Sequence, residues 1–250
     1  MSDCMNAIET INLTKKYKSK TAVNGLNLSV KEGELFALLG VNGAGKTTTV
    51  RMLCCLSKPA GGECSVCGHS CVRESDKVKQ IVGISPQDTA VAENLTVKEN
   101  LMLMCGIYGF SKDEANKRIS QMTEIFKFEE VANSRAKTLS GGWKRKLSIA
   151  MALISSPKVL FLDEPTLGLD VLARRELWGV VRSLKGKITI VLTTHYMEEA
   201  EELSDRIGIM IDGNLAALGT LEELKKTTGK ENLEESFVKI AEDFGKKVSE

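Results

Sequence analysis

The chain has 250 residues, with 34 Lys and Arg against 33 Asp and Glu for a formal charge of +1, 42% hydrophobic and 27% charged residues. These are the proportions of an ordinary globular protein, and they exclude a disordered, collagenous or disulfide-scaffold chain. The near-neutral charge argues against a nucleic-acid binder, which carries a basic excess. The longest unbroken apolar run, residues 101–110, includes two glycines and falls short of the ~18 to 20 residues a membrane-spanning helix needs. Met1-Ser2-Asp3-Cys4 lacks the basic-then-apolar pattern of a signal peptide, which predicts a cytosolic protein with its seven cysteines reduced.

In chain order, strands are predicted at residues 7–13, at the alternating Leu26, Leu28 and Val30, and at 35–39, the last followed by a Gly-rich turn and a helix reaching residue 55. Cys64-x-x-Cys67-x-His69-x-Cys71 superficially resembles a zinc site, but no second ligand pair follows at zinc-finger spacing. Residues 63–68 read better as a short strand with Cys64 and Cys67 on opposite faces. After a strand at 81–84 the texture turns helical from 94 to 156. Thr96-x-x-Glu99 is a capping box ahead of a face of Val97, Leu101, Met104 and Tyr108. Ser111-x-x-Glu114 is a second box, opening a helix with Ala115, Ile119, Met122 and Phe126 inward. Strands resume at 159–162, 188–193 and 207–211, Asp212-Gly213 signals a tight hairpin, and Leu233, Phe237, Ile240 and Phe244 space out an amphipathic helix in the tail. A helical block is thus inserted between two α/β segments.

Gly40-Val41-Asn42-Gly43-Ala44-Gly45-Lys46-Thr47 fits the phosphate-loop pattern in its required place, after a strand and before a helix. Glycines let successive backbone N–H groups point at phosphate oxygens, the helix end adds positive potential, and Lys46 supplies a charge for the β and γ phosphates. Thr47 offers a hydroxyl to Mg²⁺ and Thr48 one to the α phosphate. Residues 159–164 supply the matching acidic site, a buried strand ending in Asp163 and Glu164. Asp163 is the candidate for water-mediated Mg²⁺ binding. Glu164 is the candidate general base, a role worth ~10² to 10⁴ in rate. Guanine specificity is unsupported, because the only Asn-Lys, Asn116-Lys117, is followed by Arg118-Ile119.

Leu139-Ser140-Gly141-Gly142-Trp143 opens another helix, and a Ser-Gly-Gly helix start is a second anion site. Two such ends in one chain suggest that each copy in a dimer completes the other's site. The basic run Lys144-Arg145-Lys146 reads as a solvated helix face.

With these motifs in this order, residues 5–220 resemble the nucleotide-binding subunits of ABC transporters. The resemblance implies an α/β P-loop NTPase (RecA-like) core with an antiparallel β subdomain and an inserted α-helical subdomain. It implies an ATPase domain at 1–220, with core segments 1–88 and 158–220, a helical subdomain at 89–157, and a C-terminal extension at 221–250. Tyr17 then resembles the aromatic residue that stacks on adenine, and residues 40–48, including Asn42, Gly43, Ala44 and Gly45, the loop around the phosphates. Gln87 resembles the glutamine that touches Mg²⁺ and the attacking water. Ser140, Gly141 and Gly142 match the signature that closes over the partner's ATP. Asp170 resembles a dimer-seam residue, and His195 the switch histidine near the γ phosphate. Taken singly, Tyr17 is a strand-end aromatic, His195 a capping histidine and Gln87 a loop residue; joint occurrence in order is what gives them roles.

Two positions depart from the family pattern. Trp143 stands where Gln is usual and Leu167 where Ser is usual, which bears on the dimer seam and leaves the phosphate ligands and the base intact. Residues 194–201 and 212–220 resemble the ABC-2 type exporter group. The implied protein is an ATP-hydrolysing motor subunit that pairs with a second copy around two Mg-ATP and drives a separate integral-membrane permease from the cytoplasmic face. An importer subunit and a non-transport ABC ATPase are the alternatives.

Overall fold

The computed structural model describes residues 6–18 and 20–249, with side chains to residue 246. The opening Met1-Ser2-Asp3-Cys4 therefore lies outside the described residues. The chain divides into two compact units, one made of the residues up to Lys79 together with those from Lys185 onward, the other of Gln80–Leu184.

The first unit opens with β1 (Asn6–Tyr17) and β2 (Lys20–Lys31), an antiparallel pair, followed by β3 (Leu35–Leu39), whose five residues are all buried. The short helix α1 (Lys46–Leu53) comes next, then the hairpin of β4 (Gly61–Val66) and β5 (His69–Ser70), and helix α2 (Ser75–Ile81). Strands β2, β1, β4 and β5 form one antiparallel sheet in that order. Cys64 is buried on β4 and Cys67 is half-buried at φ 47° in the hairpin turn. Among the described residues no group of three or more His, Cys, Asp or Glu is arranged to hold a metal.

The second unit holds β6 (Val82–Ser85), α3 (Val97–Ile107), α4 (Lys112–Phe126), a 3₁₀ turn at Ala136–Thr138, α5 (Gly141–Leu153), β7 (Val159–Asp163) and α6 (Val171–Leu184). Both predicted N-caps form, and the second differs in detail from expectation. Thr96 and Glu99 make the full reciprocal box. Ser111 accepts from the Glu114 amide at 3.3 Å, but the Glu114 carboxylate is taken by Arg118 one turn on, at 2.8 Å, so the return half of that box is not made. On α4 the four expected core residues are buried. On α3 the buried face is Val97, Asn100, Leu101 and Cys105, with Met104 half-buried and Tyr108 exposed. The face turns because Asn100 is drawn inward as a backbone-capping side chain. Its Oδ1 accepts from the Ala92 amide, and its Nδ2 donates to the carbonyls of Ala92, Leu95 and Thr96.

The chain returns to the first unit with β8 (Thr189–Thr194), α7 (Met197–Leu203), β9 (Arg206–Ile211), β10 (Asn214–Gly219), α8 (Leu221–Thr228) and α9 (Leu233–Ser249). Within this unit the order β10, β9, β3, β8 joins a parallel trio to one antiparallel edge strand. Asp212 and Gly213 at φ 45° and 81° make the predicted tight hairpin between β9 and β10. The tail is built into the core. Leu233 and Phe237 of α9 join Leu39, Ile207 and Ile209 in one buried cluster, with Ile240 packed against it.

Candidate nucleotide site

The first unit carries the phosphate loop. Leaving β3, the chain turns at Gly40, where a Cβ would come 2.5 Å from the Met210 carbonyl oxygen, and reaches Gly45 at φ +104°, where a Cβ would overlap the carbonyl of Ala22. Only glycine meets both demands. Gly45 caps α1 with no side-chain hydrogen bond, which leaves the helix end to an anion. Lys46 is 4% exposed, and its ammonium donates to the carbonyl oxygens of Gly40 at 2.7 Å and Val41 at 3.3 Å. Asn42 and Gly43 are exposed, Ala44 is buried, and Thr47 and Thr48 are half-buried.

Two neighbours brace this loop. The Gly213 amide of the β9–β10 hairpin donates to the Ala44 carbonyl at 3.0 Å, while the Gly213 carbonyl accepts from Asn24 on β2 at 2.8 Å. Tyr17 pairs with Lys20 at the end of the β1–β2 hairpin, and a Cβ on Gly43 would lie 4.0 Å from the Lys20 ammonium. Tyr17 is half exposed, with the Lys15 ammonium 5.1 Å from its ring centre. On the other side β8 runs parallel to β3, pairing Thr194 with Leu39, so His195 follows directly beside Gly40. The His195 ring lies tilted by 39° against Tyr196, with centroids 4.1 Å apart.

The second unit carries Asp163 and Glu164. Asp163 ends the buried strand β7 at 4% exposure, and Glu164 follows at 6% with φ 47°, a conformation rarely taken by a residue with a side chain. Strand β6 runs parallel to β7 and pairs Ser85 with Leu162, so Pro86 and Gln87 emerge next to the two carboxylates. The Gln87 side chain is exposed. Asp170 Oδ1 accepts from the amides of Leu172 and Ala173, capping α6. Exposed Ser140 caps α5 through the Trp143 amide, and Gly142 fits against Ala173, whose Cβ is 3.0 Å from where a Gly142 Cβ would stand. Trp143 is packed where the family pattern has a polar residue. Its ring lies 5.9 Å from Phe128, with the Lys146 ammonium 4.4 Å above it.

The basic run is not a solvated face. Lys144 pairs with Glu93 at 3.0 Å, and Lys146, 7% exposed, pairs with Glu176 at 2.7 Å. Arg145, 4% exposed, donates from Nη1 to the Pro86 carbonyl at 2.6 Å and from Nη2 to the carbonyls of Gln87 at 2.6 Å and Glu164 at 3.3 Å. Three consecutive cations can turn inward because each meets an acceptor on a different segment. Arg145 thus braces the segments that carry Gln87 and Glu164, although the sequence placed it on a solvated face; the acceptors are main-chain carbonyls, which leave no mark in residue types.

The ABC transporter family profile matches residues 23–167. The chain is 42% identical over 224 residues to the daunorubicin/doxorubicin resistance ATP-binding protein DrrA of Streptomyces peucetius, covering 89% of this chain and 68% of that one. It is 40% identical over 248 residues to the ABC transporter ATP-binding protein YbhF of Escherichia coli (strain K12), covering 97% of this chain and 43% of that one. Among solved structures it resembles the ATP-binding cassette MJ0796, a dimer in a post-hydrolysis state bound to ADP and Pi, with 28% identity, a TM-score of 0.77, and coverage of 86% of this chain and 98% of the cassette.

Proposed function

The chain belongs to the ABC transporter family, as an ATP-binding and ATP-hydrolysing subunit of the exporter group with the α/β P-loop NTPase fold, and we propose how its residues carry out that work. The observation that carries the proposal is the Lys46 ammonium folded onto its own loop's carbonyls, ready to exchange them for phosphate oxygens. Asn42, Gly43, Ala44, Gly45 and Lys46 hold the β and γ phosphates, and Thr48 the α phosphate. Tyr17 stacks on adenine, a contact worth ~1 to 3 kcal/mol.

Water attacks the γ phosphorus, Glu164 accepts its proton, and the bond to the β–γ bridging oxygen breaks, leaving ADP and phosphate. Gln87 orients the water and His195 contacts the γ phosphate. Thr47, Gln87 and Asp163 fit Mg²⁺: all are hard oxygen donors, and this ion takes few protein ligands because phosphates and water complete its shell. When bound it neutralises charge on the β and γ oxygens. Ser140, Gly141 and Gly142 reach the γ phosphate held by a second copy, across a seam that includes Asp170.

The ATPase domain spans 1–220, with core segments 1–88 and 158–220 and a helical subdomain at 89–157; residues 221–250 extend it. No helix among the described residues is long and apolar enough to cross a membrane. Attachment to the cytoplasmic face comes through a permease, which docks on the segment from Gln87 to Tyr108, where Leu103 and Ile107 are exposed.

Lys46→Ala and Glu164→Gln test the reading together. The first abolishes ATP binding. The second preserves binding, stops turnover and traps an ATP-bound dimer, seen by size exclusion with Mg-ATP. A Glu164→Gln protein that stays monomeric or hydrolyses at the wild-type rate refutes it.

A further inference from the structure

Residues 86–96 leave the edge of β6 without entering another helix or strand, so the carbonyls of Pro86 and Gln87 fall just beyond the parallel ladder. Glu164 occupies a left-handed conformation, which persists only where its surroundings hold it. Arg145 answers both needs with one planar group. Its fork spans the Pro86, Gln87 and Glu164 carbonyls, a geometry that a lysine's single ammonium cannot reproduce. The helix that carries the guanidinium is itself anchored. One turn on, Ser148 shares a 2.9 Å hydrogen bond with Ser85 at the end of β6, pinning this face of α5 to the strand that leads into Gln87. The Lys144–Glu93 and Lys146–Glu176 pairs hold the same turn of helix on its other sides.

We infer that Arg145 is a positioning residue for hydrolysis: it sets the main chain at Gln87 and Glu164 together and ties both to α5, whose N-cap is Ser140. A shift of the α5 N-terminus, such as one made on meeting another copy's nucleotide, is thereby transmitted to the glutamine and to the base in one step. The inference rests on the roles proposed above for Gln87 and Glu164. It adds that their alignment is not set by their own strands alone.

The test uses the full chain with Arg145→Lys, which keeps the buried charge, and Arg145→Gln, each in the wild-type and Gln87→Ala backgrounds. ATP affinity, kcat and amide hydrogen exchange across residues 86–92 are measured. Misplacing the two groups should lower kcat by ~10- to 100-fold. ATP affinity should stay within ~3-fold of wild type. Exchange at 86–92 should accelerate in Arg145→Lys, and in the Gln87→Ala background the further loss of kcat should shrink to under ~3-fold, because part of what Arg145 positions is already gone. If Arg145→Gln does not fold, Arg145→Lys carries the same comparison. Wild-type kcat in a folded Arg145→Lys, unchanged exchange at 86–92, or losses that multiply fully in the double variant would overturn the inference. Failure of the nucleotide reading looks different: Lys46→Ala would still bind ATP, or Glu164→Gln would still turn over, whatever Arg145→Lys does to amide exchange.

Discussion

The backbone amide of Gly40 donates to the carbonyl oxygen of Thr194 at 3.3 Å, which extends the β3–β8 ladder one residue into the phosphate loop. Residues more than 150 positions apart in the chain are thereby joined: Gly40, whose own carbonyl accepts from Lys46, and Thr194, which directly precedes His195.

His195→Ala should consequently impair turnover rather than nucleotide binding. Its ring follows the fixed end of β8 and lies against Tyr196, outside the glycine turn itself. Loss of one preorganised group near developing phosphate charge costs ~10²-fold in kcat. Steady-state ATPase assays beside equilibrium ATP binding check it; equal losses in both would point to a damaged loop.

Gly45→Ala should abolish ATP binding. The new Cβ meets the Ala22 carbonyl and must take φ +104°, so the helix N-terminus has to move. The backbone strain alone is ~1 to 3 kcal/mol. Nucleotide titration monitored beside circular dichroism separates this local effect from unfolding, and retained wild-type affinity would show that the loop can shift at no cost to binding.

Asn100→Leu should destabilise the second unit by ~2 to 4 kcal/mol, since it orphans the Ala92 amide and strips three carbonyls of a donor in a fully buried place. Urea denaturation reads the difference. A change under about 0.5 kcal/mol, the size usual for surface sites, would mean water replaces the amide.

Glu74 gives a pH prediction. The Lys77 ammonium, then the Ser70 amide, hold its carboxyl at about 2, below the ordinary 4.5. A depressed carboxylate contributes stability that is complete above the ordinary value and is lost as pH falls through the depressed one. The Tm difference between wild type and Glu74→Gln should therefore be constant near neutrality, shrink below pH 4.5 and vanish near pH 2. A difference that persists unchanged below pH 2 would assign it to packing.

Local chemistry was enough to locate much of this protein. A glycine turn between a buried strand and a helix, Thr96 ahead of Glu99, and Asp212-Gly213 each act within a few residues, where spacing and side-chain type decide the backbone. The same holds for β7, an apolar run ending in two carboxylates. Tertiary structure decided what depends on partners distant in the chain. It chose Asn100 over Tyr108 for the inner face of α3, because a buried amide could satisfy the loop before it. It gave the Glu114 carboxylate to Arg118 in place of the cap. Above all it turned Arg145 inward: the carbonyls of Pro86, Gln87 and Glu164 are chemically identical to every other carbonyl in the chain, and only folding gathers them where one guanidinium can reach all three.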